Sequence, residues 1–271
     1  MPTLYVVATP IGNLGDISRR AIETLRAVKL IAAEDTRKTR KLLTACDINT
    51  PMTSYFEHNK RLKLDYLLTF LETSDVALVS DAGMPGISDP GHELIAAASQ
   101  KGIPVIPIPG PSVVVTALAV SALPTDRFTF FGFLPRKTGE RRRLLETVSN
   151  EPATMVFFEA PHRIHEMLDD LMLVLGNRRI AVCREMTKIH EEVFRGTISQ
   201  ALEHFTNPRG EFTLVVEGQK EVRKPEMNDD IESSLRELRQ SGVPAKEAIA
   251  VLSGQTGISK KELYRKWIEK N

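Results

Sequence analysis

Between Ser80 and Gly91 the chain reads SDAGMPGISDPG, with three glycines, two prolines and two aspartates in twelve residues. The block follows the apolar run VALV and precedes a helical pattern. Glycine removes the side-chain barrier to close backbone approach and proline fixes the chain's direction, so such a loop can wrap a ligand. At the carboxyl end of a parallel strand this is where a nucleotide-like ligand binds, and a plain reversing turn needs fewer special residues. TPIGNLGD, after the first apolar run, and PGPSVVVTA, after VIPI, are loops of the same kind, placed to converge on one cleft. Gly12-Asn13-Leu14-Gly15 lacks the GxGxxG spacing and no P-loop motif occurs, which weighs against NAD and ATP.

Other reactive residues are sparse. His162 in EAPHR and His190 in KIHEE are of a type that titrates near neutrality, but neither belongs to an HExxH or other metal-binding spacing. Cys46 and Cys183 are far apart and in no CxxC pair, so neither a zinc site nor a disulfide framework is expected, and a reducing, cytoplasmic setting fits best. The first residues carry no basic flank and no window approaches the roughly 20 apolar residues of a membrane span, so no membrane role is expected.

These loops need a scaffold. LYVV, VKLIAA, VALV and VIPI alternate with helical patterns at 17–28, 56–72, 93–102 and 113–121, the first with Asp16 or Ser18 as its cap. Such alternation predicts a mainly parallel sheet with helical crossovers over residues 1–120. From 121 to 220 the pattern shifts to FTFFGFL, ATMVFFEA, RRIAVCRE, EEVFRGTIS and GEFTLVVEG, with fewer helices between them, which predicts an α+β lobe with a mixed sheet. The polar stretch GQKEVRKPEMNDD, with Pro225, suits a linker, and 226–271 reads as a small helical tail. The fold class expected is α/β, two-lobed, with that tail appended.

The successive blocks ATPIGNLGD, EDTRKTRKLL, SDAGMPGISDPG, PGPSVVVTALAVSALP, FFEAPHR and CREMTKIHEEVFRG resemble the signatures of the ribosomal RNA small-subunit methyltransferase I family, within the tetrapyrrole methylases. The resemblance runs through essentially the whole chain, and the SDAG block is its most specific part. It implies S-adenosyl-L-methionine held between two lobes, and 2'-O-methylation of a cytidine ribose in the decoding region of 16S rRNA, within the small ribosomal subunit, by a homodimer. By motif it implies donor contacts from Pro10, from Asp81, Ala82, Gly83, Pro85, Ile87 and Ser88, and from Ser112 and Val113. From the second lobe it points to Phe158, Ala160, Met186, Glu211 and Phe212.

A sulfonium donor brings its own reactivity, so the protein must chiefly align an acceptor oxygen and remove its proton. Candidate groups are Glu34, Asp35, Asp81, Glu185, Glu191 and Glu192, with Arg37, Lys38, Arg163 and Lys188 as cationic partners, and residue spacing does not choose among them. With 36 basic against 35 acidic residues the net charge of +1 is uninformative, so distribution decides. Arg37, Lys38, Arg40 and Lys41, then Arg136, Lys137, Arg141, Arg142 and Arg143, then Lys260, Lys261, Arg265 and Lys266 form three basic clusters suited to RNA phosphates. PAKEAIAVLSGQTG and SKKELYRKWIEK, joined near Thr256–Ser259, are similar to a helix-turn-helix unit, and equally to an ordinary helical hairpin. Two rival readings remain open: a methylase of a small molecule such as a tetrapyrrole, and a non-catalytic ribosome-assembly factor.

Overall fold

The computed structural model describes residues 1–219, 227 and 229–268. Most of the expected linker, including Pro225, and the last residues of the predicted tail lie outside them. Residues Met1–Gly218 form one compact unit and Gln219–Asn271 a second.

The first unit opens with β1 (Leu4–Val7), α1 (Arg19–Ala27), β2 (Leu30–Ala33), α2 (Thr36–Ala45), β3 (Met52–Ser54), α3 (Lys60–Phe70), β4 (Val76–Val79), α4 (His92–Gln100), β5 (Val105–Ile108) and α5 (Val113–Val120). All five strands are parallel, in the order β3-β2-β4-β1-β5. The central strands LIAA and VALV are buried throughout, which is why they read as unbroken apolar runs. Alternate residues feed opposite faces. Leu30, Ala32 and Leu78 pack with Leu67, Leu71 and Leu94 of α3, its following turn and α4, whereas Ile31, Ala33 and Val79 pack with Leu25 and Leu43 of α1 and α2. Of the two caps considered for α1, Ser18 is the one observed, its hydroxyl accepting the Ala21 N–H.

The chain continues with β6 (Phe128–Phe133), α6 (Thr138–Thr147), β7 (Thr154–Glu159), α7 (Ile164–Leu175), β8 (Arg179–Arg184), β9 (Glu192–Thr197), α8 (Ile198–His204) and β10 (Phe212–Val216). Their order is β6-β7-β10-β8-β9, parallel between β6 and β7 and antiparallel elsewhere, so the sheet is mixed. One face carries α6, α7 and α8 over Met155, Phe157, Leu214 and Val182. The other face presents Val156, Ala181, Cys183 and Val215 to Ala117 and Leu118 of α5 and to Ile11. Helix α5 therefore joins the sheets through one core and holds the loops of the first lobe against the second.

Arg141 requires a correction. The sequence places it in a basic RNA-binding cluster, but its side chain is 1% exposed and its Nε donates to Asp170 Oδ2 at 2.6 Å. Arg142 shares the same carboxylate through Oδ1, so the pair ties α6 to α7. Arg136 and Lys137 remain exposed.

In the second unit, α9 (Asp229–Gln240), α10 (Ala245–Thr256) and α11 (Lys260–Ile268) enclose a small core of Leu235, Ile249, Leu252, Ile258 and Leu263. Gly257 ends α10 in the left-handed conformation, and Lys260, Lys261 and Arg265 lie exposed on α11.

Candidate functional site

The three glycine-containing loops meet at the carboxyl edge of the first sheet. Thr9 and Gly83 exchange backbone hydrogen bonds of 2.9 and 3.0 Å, joining the loops after β1 and β4. Gly110, after β5, lies so close to Ala8 that a Cβ there would come within 2.9 Å of the Ala8 Cβ. Facing these loops, the second sheet supplies Phe133, Phe158, Cys183, Phe212 and Thr213, and the segment after β8 supplies Met186. Together they enclose a cleft of about 440 Å³, a size suited to a small cofactor.

Of the donor-contact candidates, Asp81, Ala82, Gly83, Ile87, Ser112, Val113, Phe158, Ala160, Met186, Glu211 and Phe212 line this cleft. Pro10, Pro85 and Ser88 do not; Pro85 is buried within its loop, and Ser88, at φ +61°, faces a neighbouring hollow. Ile11, Met84, Asp89, Val114, Phe133, Glu159, Pro161, Cys183 and Thr213 are further wall residues that motif reading missed. Strand register explains part of this, because it sets Phe133 opposite Phe158 and Cys183 opposite Thr213. The Phe133 and Phe158 rings meet edge to face at 5.5 Å.

The walls are aromatic and apolar, but five carboxylates punctuate them: Glu34, Asp81, Asp89, Glu159 and Glu211. Asp81 accepts from the Asp35 backbone N–H at 3.1 Å and from Lys38 Nζ at 2.7 Å, and its own N–H donates to Glu34. Burial and the nearby charge of Asp81 push the Glu34 carboxyl up. Asp89 is pushed up to about 6, first by burial and then by Glu34. Burial also raises Glu159, whose Oε1 accepts the Ala160 N–H while Oε2 lies 3.3 Å from Arg163 without an aligned hydrogen bond. Burial drives the Cys183 thiol up to about 11.

The other candidates for proton transfer sit elsewhere. Asp35 caps α2, and its hydrogen bonds from Arg37 hold its carboxyl well below the usual range. Glu185 and Lys188 pair at 2.9 Å, Lys188 also reaching Glu211 on the cleft rim, and Glu191 accepts the Thr187 N–H. Glu192 pairs with Arg184 and His204. Arg163 donates to the carbonyls of Leu134 and Pro135, a structural tie, and His162 and His190 are exposed outside the cleft.

Residues 3–202 match the family described as tetrapyrrole (corrin/porphyrin) methylases. The chain belongs to this family. It is 48% identical to the ribosomal RNA small subunit methyltransferase I of Halalkalibacterium halodurans, over 97% of this chain and 93% of that one. It is 46% identical to the protein of the same name from Synechocystis sp., over 99% and 98%. A Thermotoga maritima protein of that name is 47% identical over its full length, which covers 81% of this chain. Among solved structures, diphthine synthase superposes with a TM-score of 0.64 at 14% identity, over 79% of this chain and 90% of its own. The chain thus shares its fold with diphthine synthase despite little common sequence. Among the described residues, no helix is long and apolar enough to cross a membrane.

Proposed function

We propose that this chain is an S-adenosyl-L-methionine-dependent methyltransferase that 2'-O-methylates the ribose of a cytidine in the decoding region of 16S rRNA. The observation that carries the reading is the convergence of three loops and two phenylalanines on one cleft, in a chain alike over nearly its whole length to rRNA methyltransferases. The cleft suits the donor: Phe133, Phe158 and Met186 offer apolar faces to a purine ring, and Asp81 and Glu34 offer negative charge to a sulfonium and an ammonium. When bound, the donor supplies an electrophilic methyl carbon and leaves as a neutral thioether. The protein's part is then to position the acceptor oxygen, exclude water and take up a proton, for which carboxylates whose basicity burial raises are suited.

In this reading residues 1–120 hold the donor, 121–220 close the cleft, and 226–271 dock RNA through Lys260, Lys261 and Arg265. Exposed Arg37, Lys38, Arg40, Arg136, Lys137 and Arg142 add phosphate contacts. The reaction takes place in the cytoplasm on the small ribosomal subunit, and the homodimer implied by the family resemblance is tested by sedimentation.

The experiment is transfer of radiolabelled methyl to 30S subunits, to free 16S rRNA and to a tetrapyrrole, followed by nucleoside analysis. Label recovered as 2'-O-methylcytidine supports the reading. Label only in the tetrapyrrole overturns the acceptor, and absence of donor binding overturns the enzyme.

A further inference from the structure

A second hollow adjoins the cleft along the same sheet edge and shares part of its wall. Glu34, after β2, and Asp89, in the loop after β4, line both. The outer wall of the hollow is Phe56, just beyond β3, with Glu57, Ser88 and Pro90. Strand order accounts for the arrangement: β4, β1 and β5 end at the cleft, while β3, β2 and β4 end at the hollow. The Phe56 ring is 37% exposed and meets His58 edge to face at 6.2 Å, leaving ring surface open. Helix α2, which follows β2, carries Arg40 and Lys41, both exposed.

We propose that this hollow receives the acceptor nucleotide, with its base against Phe56 and its ribose hydroxyl against Asp89, which accepts the hydroxyl proton. The assignment rests on the RNA methyltransferase reading and adds the acceptor's place and the proton's destination. An exposed aromatic ring is the usual platform for an unstacked base. A group that touches both reactants must lie on the wall common to their pockets, which restricts the choice to Glu34 and Asp89. Glu34 is engaged by the Asp81 backbone N–H, whereas Asp89 accepts from the neutral Ser80 hydroxyl, which leaves carboxylate lone pairs for a further hydrogen bond. As the oxygen–methyl bond forms and the methyl–sulfur bond breaks, its electron pair stays on sulfur. The O–H proton passes to the Asp89 carboxylate and then to solvent. The charged groups around Asp89 are Glu34, Asp81, Lys38 on α2 and Glu57 across the hollow, and burial first, then the carboxylates beside it, keep its basicity above that of an ordinary aspartate.

The test compares wild type with Phe56→Ala, Phe56→Trp and Asp89→Asn. Calorimetry measures binding of S-adenosylhomocysteine, anisotropy measures binding of a labelled 16S decoding-region fragment, and methylation of 30S subunits is followed from pH 5 to 9. Phe56→Ala should weaken the fragment about tenfold, with Phe56→Trp restoring it and S-adenosylhomocysteine binding unchanged throughout. Asp89→Asn should keep both bindings within about twofold, lower kcat on the order of a hundredfold or more, and abolish the acid limb of the pH profile. Unchanged fragment binding in Phe56→Ala, or an unchanged kcat and pH profile in Asp89→Asn, overturns the assignment while the RNA methyltransferase reading stands. A wild-type protein that methylates no RNA overturns both.

Discussion

The ammonium of Lys38 lies 2.7 Å from the Asp81 carboxylate and fastens α2 to the loop that floors the cleft. The lysine side chain is 63% exposed, so the pair should contribute below about 1 kcal/mol to stability. It also acts on charge, because the Lys38 ammonium favours the ionised form of both Glu34 and Asp89. Lys38→Met should therefore raise the carboxyls of both and move the acid limb of methyl transfer to higher pH, with unfolding nearly unchanged. A limb that stays in place in the pH–rate profile would show that the lysine does not reach these groups.

Arg141 and Asp170 present the opposite balance. Both side chains are almost fully buried and lie 2.6 Å apart, so removing Arg141 leaves the buried Asp170 charge with only the partly exposed Arg142 as its ion-pair partner. Arg141→Met should cost about 3–5 kcal/mol in urea unfolding, and the double variant Arg141→Met/Asp170→Leu should recover much of it. Recovery absent from the double variant would mean that packing, and not charge, sets the loss.

How far this site could be read in advance depended on how local each cue was. The glycine-rich loops announced themselves because their composition is a local property, and β2 and β4 did so because burial on both faces leaves an unbroken apolar run. Strand β3 is three residues long and half-buried, and α6 reads TGERRRLLET with only Leu145 as a fully buried apolar residue, so neither carries a strong periodicity. Cys183 and Phe133 entered the wall through sheet register, which no short motif encodes. Asp89 lies inside the most conspicuous block, yet composition does not single it out, because its electrostatic coupling to Glu34 is between loops that follow two different strands.

Cys183 and Cys46 should differ sharply toward thiol reagents. Cys183 is buried with its thiol pushed up to about 11, whereas Cys46 is partly exposed. At pH 7.5 iodoacetamide should label Cys46 first, with Cys183 reacting only on unfolding. Mass spectrometry of peptides from the native protein decides it, and early labelling of Cys183 would place the cleft floor in contact with solvent.

Gly91 turns the chain into α4 at φ +150°, and an added Cβ would lie 3.0 Å from Leu78 Cδ2 and 3.1 Å from the Gly86 nitrogen. Gly91→Ala must then shift the loop carrying Asp81 to Asp89, at a cost of about 1–3 kcal/mol. S-adenosylhomocysteine should bind more weakly in proportion to that displacement, and calorimetry showing wild-type affinity would mean that the loop absorbs the change outside the cleft.

Asp89 links the chemistry of the cleft to the stability of the fold, and the sign follows from the direction of its shift. Its folded carboxyl is raised to about 6 from an ordinary value near 3.8, so the folded state holds this proton more tightly than the unfolded chain. The stability it contributes is fully present below the unfolded value and is lost as pH rises through about 6. At neutral pH the wild type therefore bears the cost of an ionised carboxylate in a half-buried wall, on the order of 1 kcal/mol after solvent screening. Asp89→Asn removes that cost together with the proton acceptor. Urea unfolding at pH 4.0, 5.5 and 7.0 should show the variant gaining on wild type as pH rises, while its methyl transfer stays low throughout. A stability difference independent of pH would mean that Asp89 ionises as it does in the unfolded chain, and the acid limb of the reaction would then belong to Glu34.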